Sequence, residues 1–208
     1  MRSAKRPRVC DAGRHGRHAV RSERRSSSAS SNAAAIAQNN AAVIAAVLAT
    51  PCQDTELTPE AGNVAELRSA VLCLVNQVRA QHDISPLTLS SDLDTAAEEH
   101  SHELVEDDYF AHVAPDGETP VDRIRNTGYI PSPSVGYVIG ENLAWGTYGM
   151  ATPSSIVAAW VASPGHLANI LESQYLETGI GVTAEVPGSL SGGGPGATYA
   201  QEFGVIIQ

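Results

Sequence analysis

Lysine is almost missing from this chain. Lys5 is the only one in 208 residues, and beyond Arg25 the basic side chains shrink to Arg68, Arg79, Arg123 and Arg125. Residues 1–25 hold nine basic and two acidic side chains, which leaves four basic against 21 acidic in the rest, a formal −17 inside an overall −10. A body that acidic repels nucleic acid and anionic headgroups out to a screening length of about 8 Å. The basic stretch has no aromatic side chain on which a base could stack, so no nucleic-acid partner is expected. Cysteine is scarce, at three, and there is neither a Cys-x-x-Cys nor a His-Glu-x-x-His. That removes thiolate zinc sites and the single-helix metalloprotease site. Long apolar runs are lacking as well. The longest uncharged one, Ala41–Ala49, has nine residues, where a spanning helix needs roughly 20, so no transmembrane segment is expected. A hydrophobic fraction of 42% still suffices for one core.

The N-terminal 50 residues and the remainder read as different material. Residues 1–32 are basic, Ser-rich and without periodic apolar positions, the composition of a disordered tail. An Ala-rich stretch follows and ends in the apolar run, with Val47 and Ala49 at the −3 and −1 positions of a secretory cleavage site. Arg24-Arg25 before the serines hints at a twin-arginine signal, and an Ala-rich linker is the alternative. Cleavage after Ala49 would discard Cys10 and leave Cys52 and Cys73 as a pair. In an oxidising compartment a bridge between them is expected, against the alternative of two separate buried thiols. The reading is therefore a disordered basic tail with a targeting segment over 1–50, and one folded domain over 51–208.

In the body, Val64, Leu67, Val71, Leu74, Val75 and Val78 recur at three- and four-residue steps, predicting a helix over 63–81. Asp83–Leu89 reads as a turn around Pro86. Ser90 or Ser91 caps a second helix to about Glu106, whose inner face is Leu93, Ala96, Ala97, His100 and Leu104. On that face His100 reads as a hydrogen-bonded core histidine. Thr119-Pro120 and Thr152-Pro153 each pair a cap with a first-turn proline. Gly128 ends the first of these helices, and Ser163-Pro164-Gly165 breaks the second before a further helical turn. Thr178–Val186 and Thr198–Ile207 alternate with period two across a Gly-rich connection, an antiparallel hairpin. With a strand near Glu141, the sum is an α+β domain with an antiparallel sheet between helices.

The order of these signals resembles the CAP superfamily of cysteine-rich secretory, antigen 5 and pathogenesis-related proteins, in its secreted bacterial branch. The residues that carry the likeness are Leu74-Val75-Asn76 with Arg79-Ala80, Pro86-Leu87, Ala96-Ala97 with His100-Ser101, and Tyr109-Phe110-Ala111-His112. They continue with Gly128-Tyr129, Gly140-Glu141-Asn142-Leu143-Ala144, Trp160 with Ser163-Pro164-Gly165-His166, Ala168–Leu171, Gly179–Val182 and Phe203-Gly204. The resemblance implies a three-layer α-β-α sandwich, secretion, and a central cleft of two histidines and two acids. Carried onto this chain, those are His112, Glu141 and His166. The second acid falls three residues after Trp160, where the sequence has Ser163.

Two imidazoles and a carboxylate are a donor set for Zn²⁺ or another divalent cation with a position left for water, and the resemblance implies His112, His166 and Glu141 as its ligands. The enzymatic alternative is a hydrolase of an extracellular peptide, lipid or cell-wall substrate, either metal-dependent through that set or built on a Ser163 nucleophile with a histidine base and Glu141 orienting it. A purely structural Glu141 that accepts backbone N–H groups is a third reading. Asn142 and Asn169 read as loop and helix-end fasteners. The function expected is an extracellular binding or interaction module for a small molecule, a lipid or a cell-surface component.

Overall fold

A computed structural model describes residues 19–192 and 194–207, with side chains from Asn32 onward. The chain divides into two units at Asn39. Of the first, only the start of helix α1, Ala19–Ala49, is described. The part of the Ser-rich tail beyond residue 18 is therefore helical. Ala and Arg favour helix strongly, and the Ala-rich stretch lets a turn propagate backward through the serines. Residues 1–18 of that tail, with Cys10, lie outside the described residues. As one continuous helix, Asn32–Ala49 reaches 18 residues at a mean hydropathy of 1.3, long and apolar enough to cross a membrane, a property signal sequences share. The nine-residue run taken alone does not reach that length.

The second unit is three-layered. Its sheet has four strands in the order β1-β3-β4-β2, with β1 Thr88–Leu89, β2 Gly136–Thr147, β3 Glu177–Thr183 and β4 Gly196–Ile207. Both long pairings, β2 with β4 and β3 with β4, are antiparallel. The expected 83–89 turn closes into the two-residue β1, parallel to β3.

Alternation along the strands sorts the two faces. Ile180, Val182, Tyr199 and Phe203 point to one side and meet Leu67, Val71 and Val75 of α2 (Val64–Gln81), Ile156, Val157 and Trp160 of α5 (Pro153–Ala162) and Ile170 of α6 (Pro164–Ile170). Buried Arg79 ties the end of α2 to this layer by donating to the carbonyls of Ser85, Ile170, Glu172 and Tyr175. The other side of the sheet carries Leu143 and Ala200 against Ala97 and Leu104 of α3 (Ser91–Glu106). Here α3 lies directly on β3, because Gly179 and Gly181 face it without side chains. A Cβ at either glycine would run into the backbone of Leu93 or Ala97. Ser90 caps α3, and Asp94 accepts the Ile180 backbone N–H at 2.9 Å.

Helix α4 (Pro120–Asn126) begins with a full capping box between Thr119 and Asp122. It stops at Gly128, whose φ of +92° a side chain would strain. Ile124 then packs with Leu93, Ala96, Tyr129 and Ile130, so α4 is fixed beside α3. The Gly-rich connection between β3 and β4 holds one short helix, α7 (Gly188–Ser191). A bridge joins Cys52 and Cys73 with their Cα atoms 5.6 Å apart, the pairing expected from the cysteine count.

Candidate functional site

Glu141 sits on β2, the edge strand, on the face that α3 and α4 cover. Its side chain is only 2% exposed. Burying a carboxylate is costly unless charge and hydrogen bonds compensate, and three neighbours do so. His112, in the loop after α3, donates from Nδ1 to Oε1 at 2.5 Å. Arg123, on the inner side of α4 and itself buried, donates from Nη2 to Oε2 at 3.0 Å. His100, reaching down from α3, brings Nε2 to 3.5 Å of Oε2. The Arg123 Nη2 also donates to the His112 carbonyl at 2.7 Å. One guanidinium therefore fixes both the carboxylate and the loop that delivers its histidine.

Burial alone would raise the Glu141 carboxyl. The hydrogen bond from His112, the neighbouring Glu202 carboxyl and the charges of His100 and Arg123 outweigh it and hold Glu141 below the usual carboxylate range. The hydrogen bond to Glu141 raises His112 above an ordinary imidazole, against the opposing pull of burial. His100 is pushed down, chiefly by burial.

His166 lies in the first turn of α6, which runs beside the edge of β2. Burial and the nearby His112 both lower it, so the two imidazoles feel each other. No hydrogen bond joins His166 to His112 or Glu141 among the described residues. What ties α6 to the site is a pair of amides. Asn169 donates to the Glu141 carbonyl at 3.0 Å and to the Asn142 Oδ1 at 2.9 Å, and Asn142 donates to the His166 carbonyl at 3.2 Å. Both asparagines are the fasteners expected of them. Ser163 caps the start of α6 without a side-chain cap bond, and its hydroxyl bonds neither histidine.

Three members of the cluster were not anticipated as site residues. The helix pattern places His100 in the core, and it is fully buried, but its ring faces Glu141, Tyr109 and Glu103. Arg123 carried a signal, since it is one of only four basic residues beyond the tail. Glu202 carried one too, as the lone charge in an apolar alternating strand. It lies directly across the ladder from Glu141 and is fully buried.

A cation centre on His112, Glu141 and His166 asks for three free donors. Both Glu141 oxygens are engaged, the His112 Nδ1 is spent on one of them, and a guanidinium shares the same carboxylate. Among the described residues no three His, Cys, Asp or Glu side chains form a group that would hold a metal ion. The arrangement does not fit the three-ligand set. An open depression of about 680 Å³ beside α3, lined by Val64, Glu98, Glu99, His102 and Glu103 among others, shares only Glu103 with the cluster.

The family description "Cysteine-rich secretory protein family" (CAP) matches residues 72–189, more than half of the chain. The chain belongs to the CAP family. Among its curated relatives, the YkwD protein of Bacillus subtilis is 29% identical over 134 residues, 64% of this chain and 49% of that one. The membrane protein YlbC of the same organism is 30% identical over 112 residues, 54% of this chain and 30% of that one. The CAP chain described here thus spans half or less of the length of these two relatives. Two solved structures share its fold. One is an extracellular protein with an SCP domain from Bacillus anthracis (TM-score 0.51, 24% identity, 72% of this chain, 41% of that one). The other is an outer surface protein of Borrelia burgdorferi (TM-score 0.52, 20% identity, 69% of this chain, 92% of that one). Strand β4, with Glu202, lies beyond the matched span.

Proposed function

We propose that this CAP domain is exported and acts outside the cell as a binding module, with the cleft at His112 and His166 as its ligand-facing surface. The observation that carries this reading is the division of labour in the Glu141 cluster. Glu141 is buried and held by Arg123, while the His112 side chain, bonded to it, remains 54% exposed. A fixed imidazole at an open surface, with its outer nitrogen turned away from its carboxylate partner, is a recognition group. Hydrolysis by Ser163 is less well supported, because its hydroxyl reaches neither histidine and a nucleophile must lie within hydrogen-bond reach of its base. Metal dependence through His112, Glu141 and His166 is likewise weakened by the engaged carboxylate.

Export is supported by the apolar helix ahead of Ala49, by the Cys52–Cys73 bridge, which needs an oxidising compartment, and by the extracellular and outer-surface proteins that share the fold. The ligand is a small molecule, a lipid or a cell-surface polymer. The test is co-sedimentation of the secreted protein with purified bacterial cell walls and, separately, with phosphatidylcholine vesicles. A His112→Ala/His166→Ala variant should lose most of the sedimented fraction, with no soluble fragments released by either protein. Equal sedimentation of the two proteins would remove the cleft from binding. Fragment release that His112→Ala abolishes would replace this reading with the hydrolase.

A further inference from the structure

We propose that the end of the sheet around Trp145 and Tyr148 is a second binding surface, separate from the His112–His166 cleft, and that it takes an uncharged glycan chain by stacking sugar rings on the two aromatic side chains.

Register sets the place. Thr198 of β4 pairs with Trp145 near the end of β2 and with Thr183 at the end of β3, so both strands stop at the same end of the sheet. Trp145 lies on β2, Tyr148 and Met150 in the short helical turn after it (Tyr148–Ala151), and Leu190 in α7 on the β3–β4 connection. All four are exposed. The Tyr148 ring lies against Gly194 of that connection, where a Cβ would come within 2.8 Å of it, so the two segments meet. Apolar side chains gathered in this way mark an interaction surface, whereas scattered ones do not.

Strain singles out Tyr148. Its φ of +52° is left-handed. The other non-glycine residues in that region, among the described residues, are Asp54, Asp83 and Asp108. Aspartate tolerates this backbone through its short polar side chain, and a bulky side chain does not. Two contacts hold Tyr148 there. Its N–H donates to the Pro195 carbonyl at 2.9 Å, and its ring rests on Gly194. The residue is nevertheless 63% exposed. A costly backbone is thus held in place to present an open ring, the kind of strain that marks a working site. Asp108 fastens the connection nearer its start by accepting the Ser189 N–H at 2.8 Å.

Charge decides what the surface takes. Of the four cations beyond the tail, Arg79 and Arg123 are buried, Arg68 is paired with Asp94 and Glu98, and Arg125 with Asp122. No spare cation is left to meet a phosphate or a carboxylate, and Glu106, Asp107 and Asp108 stand where α3 ends beside α7. A patch that dips into a bilayer is flanked by Lys and Arg, which this one lacks. A sugar ring is neutral, and its C–H face carries the slight positive charge that the negative face of an aromatic ring attracts. Trp145 and Tyr148 are three residues apart, so their Cα atoms lie within about 11 Å of each other, a reach that suits neighbouring units of one glycan chain.

The test uses the disulfide-bonded full chain and three uncharged hexasaccharides, cellohexaose, maltohexaose and chitohexaose, titrated by calorimetry. Tryptophan emission is a second readout, since Trp160 is buried and Trp145 is not. At least one sugar should bind, with an affinity unchanged between about 0.05 and about 0.5 M salt, because no charges meet. Trp145→Ala and Tyr148→Gly should each weaken binding by about tenfold or more. Glycine suits the backbone at 148, so Tyr148→Gly removes the ring and keeps the fold. Emission from Trp160 reports the fold of Trp145→Ala. Leu89→Ala, which trims an exposed side chain at the far end of the sheet, should leave the affinity unchanged. Folded wild type that binds none of the three, or affinities in Trp145→Ala and Tyr148→Gly equal to wild type, would overturn the proposal. Phosphatidylcholine vesicles bound by wild type in place of the sugars, and released by both substitutions, would give the surface to a bilayer instead. The sedimentation assay turns on His112 and His166 and this one on Trp145 and Tyr148, so the two readings fail separately.

Discussion

Arg123 is the side chain on which the cleft most depends. It is a buried cation that touches the Glu141 carboxylate and the His112 carbonyl with one nitrogen. Arg123→Ala strands a buried carboxylate beside a second carboxyl, which costs about 3–5 kcal/mol in comparable buried pairs. Urea unfolding should show a midpoint lowered to match at an unchanged slope, and a loss below about 1 kcal/mol would mean that Glu141 finds its compensation elsewhere. Glu202 gives the pH dependence. Its folded-state value is raised well above the ordinary 4.5. The unfolded chain therefore releases this proton first, and stability falls as pH rises from the ordinary carboxylate range toward the folded value. Glu202→Gln removes that dependence, so its stability relative to wild type should improve steadily as pH rises from the carboxylate range toward the folded value. A pH-independent difference in denaturant unfolding would refute this. His112 acts in the same sense, since its raised value makes its contribution fullest below the ordinary imidazole range and lost as pH climbs through the folded value. Much of this was legible residue by residue. His112 and Glu141 stood out because they sit among aromatic, glycine and small neighbours. His100 did not, because a histidine on an apolar helix face reads as core until the facing strand is known. Glu202 did not because a single acid in a strand shows its partner only once the ladder is in register.

Among the elements, the contact of α3 with β3 decides where the cluster can form. The helix approaches until its backbone lies on Gly179 and Gly181, and this depth brings His100 down to Glu141. Gly181→Val would set a branched side chain against the Ala97 carbonyl, with backbone rather than a flexible side chain in the way. Overpacking of this kind costs about 1–3 kcal/mol and sometimes more. Because α3 would have to lift, the variant should also change the His100 and His112 imidazole resonances, whereas Gly165→Ala, at an open position, should change neither. An unmoved pair of resonances in Gly181→Val would show that α3 does not set the depth of the cluster. The Gly-Ile-Gly-Val alternation predicted the strand correctly, but the glycines could not announce their reason, since a helix lying on them is a tertiary fact. The same limit explains β1. Two residues after Pro86 are too few for a period, and only pairing with β3 makes them a strand. The capped helix starts at Thr119 and Thr152 were legible because caps and prolines act locally.

For the whole molecule, layer order was legible in the sequence, since helix stripes and a terminal hairpin leave few ways to bury their apolar faces. The Cys52–Cys73 bridge was legible from the parity of the cysteines once Cys10 is set aside. What composition showed without any structure is the charge. Residues 26–208 carry a formal −17, spread over the surface of one compact unit, with two of the four cations, Arg79 and Arg123, buried out of reach of that surface. Like charges held close repel, and unfolding spreads them apart, so this field opposes the folded state. Salt should weaken it, because the screening length falls from about 30 Å at about 0.01 M to about 3 Å at about 1 M. The buried Arg123–Glu141 contact is shielded from solvent and should change little over that range. Thermal unfolding of the disulfide-bonded protein across this range of sodium chloride should therefore show a rising Tm, by roughly 2–4 °C if the relief is about 1 kcal/mol in a domain of this size. A Tm that falls with salt would mean that surface ion pairs such as Arg68 with Asp94 and Glu98 outweigh the general repulsion. In that case the acidic surface would be a set of local pairings rather than a field that the fold must withstand.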